Sequence, residues 1–73
     1  MDRDQRDLEE VERHVRRGLE HIARQREIIA HFQGKGYSTD EAEEMLTTLL
    51  GLQRQHEAHR EHLLQKLGLP PAR

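Results

Sequence analysis

The stretch Gly34-Lys35-Gly36-Tyr37-Ser38-Thr39-Asp40-Glu41 constrains this chain more than any other part of it. A helix-stopping glycine pair runs straight into a helix-starting Ser/Thr/acid cluster, and each side carries an apolar stripe at helical spacing. On the N-terminal side Leu8, Val11, Val15, Gly18, Ile22, Gln25, Ile29 and Phe32 recur at alternating steps of three and four. That is a heptad seam with two defects, Gly18 and Gln25. On the C-terminal side the stripe runs Ala42, Met45, Leu46, Leu49, Leu50, Leu52 and then breaks. Only Ala58 is apolar before Leu63 and Leu64, and the seam positions inside the gap fall on His56 and His59.

A connection this short makes consecutive helices pack antiparallel. The expected fold is an all-α, antiparallel two-helix hairpin forming one domain. Its first helix spans about residues 4–35, its turn 36–38, its second helix about 39–67 and its tail 68–73. Asp2 or Asp4 can cap the first helix. Gly36 is the natural left-handed residue past its end, with Phe32 and Tyr37 as the apolar pair that accompanies such a stop. Ser38 to Glu41 reads as a capping box for the second helix. Gly68 repeats the stop, with Leu69 against Leu64, and Pro70-Pro71 forbid continuation. Folding at the turn pairs residues whose numbers sum to about 71, which sets Ile29 beside Ala42, Ile22 beside Leu49 and Leu8 beside Leu63. Gly18 then lies near Gln53, where a missing side chain permits close approach. Glu9–Arg13, Glu12–Arg16 and Glu20–Arg24 stand four apart with the acid first, the favourable order on a helix.

At 73 residues the chain affords one thin core, and such domains usually need a disulfide, a metal or an oligomer. With no cysteine, disulfides and thiolate metal sites are excluded. One hairpin cannot bury Leu19, Ile28, Leu46, Leu50, Leu64 and Leu67 in addition to its central seam. These six are the expected interface of a homodimer, two hairpins making a four-helix bundle. The net charge of −2 mixes both signs along both halves, and aromatics are 3% of the chain. Neither nucleic acid nor an anionic membrane is the expected partner. No apolar run approaches the roughly 18 residues of a membrane span, and the acidic, polar start MDRDQRD is unlike a secretory leader. A cytoplasmic location is expected.

Six histidines stand out. His14, His56 and His59 should share one level of the hairpin, with Glu10 one turn from His14. Three imidazoles and a carboxylate are the donor set of a tetrahedral zinc site, so Glu10, His14, His56 and His59 are the candidate ligands. The alternative is a polar layer of imidazoles bonded to Glu10, Gln53 or water. If His56 and His59 are packed neutral, acid should cost stability, whereas a carboxylate holding an imidazolium reverses that sign. Sharper motifs fail. In His56-Glu57-Ala58-His59-Arg60, Arg60 stands where the zincin signature needs its second histidine. Glu10 and His14 are four apart, whereas di-iron bundles set Glu and His three apart. His21, His31 and His62 read as flank or surface residues. Ser38 is a cap rather than a nucleophile, and Gly34 and Gly36 follow a helix instead of opening one on a phosphate. No enzyme chemistry is expected.

The string RHVRRGLEHIARQREIIAHFQGKGYSTDEAEEML, followed by Gln53, His56, His59, Arg60 and Leu64, resembles a group of small uncharacterised proteins of proteobacteria over about Arg13 to Leu64. That resemblance implies no activity, but it directs interest to the polar seam residues Gln25, Gln53, His56 and His59. The expected function is a non-enzymatic protein–protein interaction module, a small dimeric adaptor or regulator. The alternative is a histidine-rich bundle that binds metal or senses metal or pH.

Overall fold

The computed structural model describes residues 2–70, so the final three residues of the expected tail, and with them Pro71, lie outside the described residues. Two helices, α1 (Arg3–Gly34) and α2 (Asp40–Lys66), pack against each other along their lengths as a hairpin. The rod measures 51 × 18 × 16 Å. Among the described residues no helix is long and apolar enough to cross a membrane.

The stop after α1 is built as its residues dictate. Gly36 has φ 74°, a left-handed conformation that costs a residue with a Cβ about 1–2 kcal/mol. It allows the Tyr37 N–H to donate to the Phe32 carbonyl oxygen (2.9 Å) and the Gly36 N–H to that of Gln33 (3.1 Å). The Phe32 and Tyr37 rings meet edge to face at 6.0 Å. The end of α2 repeats the motif, with the Leu69 N–H donating to the Leu64 carbonyl oxygen (2.9 Å) and the Gly68 N–H to that of Gln65 (3.1 Å).

The start of α2 departs from the capping-box reading. Thr39, not Ser38, is the cap, and with ψ 5° its backbone is already turning. Its hydroxyl therefore does not reach the first-turn amides, and it donates instead to the Glu43 carboxylate (3.0 Å). Ser38 Oγ accepts a long bond (3.4 Å) from the Asp40 N–H. Among the described residues the three expected Glu–Arg pairs of α1 stay open. An ion pair between the helices, Lys66 Nζ to Asp4 Oδ1 at 3.2 Å, ties their free ends together.

The core is thin and concentrated at those free ends, where Leu8, Val11, Leu63 and Leu64 form one cluster with Leu67 against it. In α1 the buried Leu8, Val15, Ile22 and Ile29 are seven apart; in α2 the most buried residue, Leu63, keeps that step at three sevens from Ala42, while Gln53 and Leu64 stand eleven apart beside it. Eleven residues are three nearly straight helical turns, so the buried edge of α2 widens at its end to take in Leu64 beside Leu63. This corrects one expectation. Leu64 is buried inside the hairpin instead of standing on an outer face, and the half-buried Leu67 packs beside it.

Candidate functional site

In the middle of the seam, among the buried Val15 and Ile22, two glutamines bridge the helices. Gln53 Nε2 donates to the Val15 carbonyl oxygen (2.9 Å), and Gln25 Nε2 donates to the Ala42 carbonyl oxygen (2.9 Å). Each helix thus sends one amide across to the spare lone pair of a carbonyl already bonded within the other helix. The two apparent seam defects are explained together. A Cβ on residue 18 would coincide with the Gln53 amide oxygen and stand 2.8 Å from its Cδ, so only glycine leaves room for that side chain to lie flat across α1. Gln53 is 5% exposed, and its Oε1 has no hydrogen-bond partner among the described residues. It rests where Gly18 carries a hydrogen instead of a side chain, the placement of a weak Cα–H···O contact.

One turn toward the free ends, both helices contribute to an open cavity of about 310 Å³ lined by Asp7, Glu10, Val11, His14, His56 and His59. All four candidate ligands are brought to one wall. The His14 and His56 rings stack with centroids 5.2 Å apart and planes 12° from parallel. Glu10 Oε1 lies 3.7 Å from His14 Nε2, with both side chains about half exposed or more. This arrangement is not a coordination shell. Imidazole lone pairs lie in the ring plane, so two face-to-face rings project them side by side instead of onto one point about 2.0–2.1 Å from each nitrogen. Among the described residues no group of three or more His, Cys, Asp or Glu side chains is placed to hold a metal ion. His59 is exposed and His56 only half-buried, so neither imidazole is packed away from solvent.

His14 and His56 also border a second shallow cavity, of about 260 Å³, with Arg17, Gly18, His21, Leu49, Leu52 and Gln53. Asp7 was not among the sequence candidates, although Asp7, Glu10 and His14 follow the same three-four step and share a helix face. His31 and His62 are exposed and lie outside both cavities.

The remaining expected interface residues divide between two flanks. At 100° per residue, Leu19 lies one step past the Gly18 seam position and Ile28 one step before Ile29, which places them on opposite sides of α1. Leu46 belongs with Ile29 and Ala30 around a third cavity, while Leu49 and Leu52 belong with His21 around the second. The Leu19 side therefore also holds Leu46 and, one turn on, Leu50. Leu19 is 55% exposed, Met45 51% and Leu52 46%, and Ile28, Leu46 and Leu50 are half-buried. No family model, curated protein or solved structure matches this chain.

Proposed function

We propose that this protein is a non-enzymatic interaction module of the cytoplasm, working as a homodimer that presents helical faces to another protein. The observation that carries this reading is the exposure of leucines beside a thin core. Among the described residues eight hydrophobic ones are buried, while Leu19, Met45 and Leu52 stand about half exposed on the same rod. The chain exposes 5807 Å², against the roughly 4,700 Å² expected of a globular monomer of its 8.6 kDa mass. No nucleophile paired with a base and no phosphate-binding loop competes with it in the sequence. Light scattering at high micromolar concentration tests it. A mass of twice 8.6 kDa is expected, and a compact monomer would overturn the dimer.

A second reading, a metal- or pH-responsive bundle, draws on the place of Glu10, His14, His56 and His59 around one cavity. Calorimetric titration with zinc separates the two. Tight binding that vanishes in His56→Ala with His59→Ala would place the metal reading first. Heat no greater than that of dilution leaves the interaction module standing.

A further inference from the structure

The two flanks of the rod are not equivalent. Of the three helix-borne apolar side chains that stand about half exposed, Met45 and Leu52 share one flank and Leu19 has the other. Two cavities that share His14 and His56 make one groove along the Met45/Leu52 flank. Its α1 wall carries Asp7, His14, His21 and Ile28, and its α2 wall carries Met45, Leu52, His59 and Lys66, both at steps of seven. The groove is also divided along its length. Toward the free ends it is lined by Asp7, Glu10, His14, His56 and His59. Toward the turn Leu49 and Leu52 surround His21, and Met45 and Ile28 follow.

Heights along the rod select the occupant. Leu8 with Leu63, His14 with His56 and Asp4 with Lys66 show that residues whose numbers sum to about 70 stand at one height. A second copy turned about an axis parallel to the rod keeps every height and lays α1 of each copy over α2 of the other. His21 then falls between the partner's Leu52 and the partner's Met45, so apolar half meets apolar half. The two His14–His56 stacks come to one height across the axis, where imidazoles, each able to donate and accept, can satisfy one another. A copy turned end over end would instead set Met45 and Ile28 against the partner's His59 and the partner's Glu10, apolar carbon against groups that need water. The charges agree with the first arrangement. It gathers Arg3 and Lys66 with Asp7 and Glu10 at the free ends, gathers Arg24 and Lys35 with Glu41 near the turn, and sets Arg17 opposite the partner's Gln55. On the Leu19 flank the same operation would put Arg16 against the partner's Arg54 and Glu12 against the partner's Glu57. The excess surface of about 1,100 Å² per chain is enough to supply the roughly 800 Å² that each partner buries in a stable interface.

We propose that a second copy of this chain covers the groove beside Met45 and Leu52, with both turns at the same end and His14, His56 and His59 of both copies at one level around the axis. The proposal rests on the dimeric reading above and adds its face and its orientation. Sedimentation equilibrium tests the face. Met45→Glu and Leu52→Glu change side chains that are open in the hairpin itself, so both variants should keep their helices. Each should raise the dissociation constant by roughly tenfold or more, because the new charge is buried against the partner. Leu19→Glu, at a position as exposed in the hairpin, should move it by less than about twofold. A dimer weakened as much by Leu19→Glu, or unmoved by Leu52→Glu, would overturn the face.

Orientation is read separately and without touching the groove. The chain has no cysteine, so the exposed Gln33→Cys takes a single nitroxide label near the turn. Pulsed electron spin resonance should place the labels of the two copies within about 30 Å, the width of four packed helices. A separation above about 40 Å, which a reversed copy would give at a rise of about 1.5 Å per residue, would overturn the orientation and leave the dimer. A wild-type chain still monomeric at about 100 µM, a concentration that would populate a dimer of micromolar affinity, would overturn the dimer as well.

Discussion

The free ends of the hairpin and its middle solve the same packing problem in opposite ways. At the free ends, Leu8 and Val11 meet Leu63 and Leu64 and the seam closes on itself. In the middle, Gly18 and Gln53 replace that apolar contact with a flat amide and a carbonyl bond, and Gln25 does the same toward the turn. Leucines near the middle therefore stand beside the seam instead of inside it. The lesson is that the apolar content of a helix does not say where its apolar surface goes. One small residue opposite one amide is enough to send Leu46, Leu50 and Leu52 to the flanks.

The sharpest way to break this contrast is to disable the closed end. Val11 is 2% exposed, and Val11→Asp would bury an unpaired charge there at a cost of several kcal/mol, a large part of the stability of so small a domain. Circular dichroism should show the helices largely lost at 25 °C. A folded Val11→Asp chain would mean that the free-end cluster is not what holds the hairpin shut.

The middle should respond to a change in shape more than in polarity. Gly18→Ala should destabilise by about 1–3 kcal/mol, because the new methyl displaces the Gln53 amide. Gln53→Ala alone should cost about 1–3 kcal/mol, since the crossing bond is lost and a buried side chain is truncated. Chemical denaturation of both single variants and the double variant reads the coupling. The double should be less destabilised than the sum of the singles, and strict additivity would show that glycine and glutamine are independent.

A smaller effect is expected at the turn. Gly36→Ala should cost about 1 kcal/mol through its left-handed backbone alone, measured as a lowered melting temperature with no change in oligomeric mass. The smallest belongs to the ion pair at the free ends. Asp4→Asn should cost less than about 0.5 kcal/mol, since Lys66 and Asp4 both keep solvent contact and salt screens such pairs. A loss of more than 1 kcal/mol there, in the same thermal melts, would show that the end clasp matters more than exposed pairs do.

What could be read from the sequence, and what could not, follows from the range of the forces. The hairpin, the Gly36 stop with its Phe32–Tyr37 pair, and the Gly18–Gln53 approach depend on residues a turn apart or on a register set by one short connection. Composition and spacing determine these. The Thr39 cap depended on a backbone angle that residue types alone do not set. Leu64 is buried beside Leu63, which holds the expected place opposite Leu8; how wide the buried edge becomes at the helix end depends on packing that spacing alone does not set. The histidines were brought to the right level, since level follows from the register. Their lack of convergence is a matter of side-chain torsions, which spacing does not fix.

The central claim is that this hairpin's core is completed by a second copy, and the thermal melt as a function of protein concentration tests it most directly. Binding that favours only the folded state raises stability by mass action. The melting temperature should therefore climb by several degrees over a hundredfold increase in concentration, and Leu52→Glu should lower it and flatten that slope. A wild-type melting temperature that does not move with concentration would contradict the account.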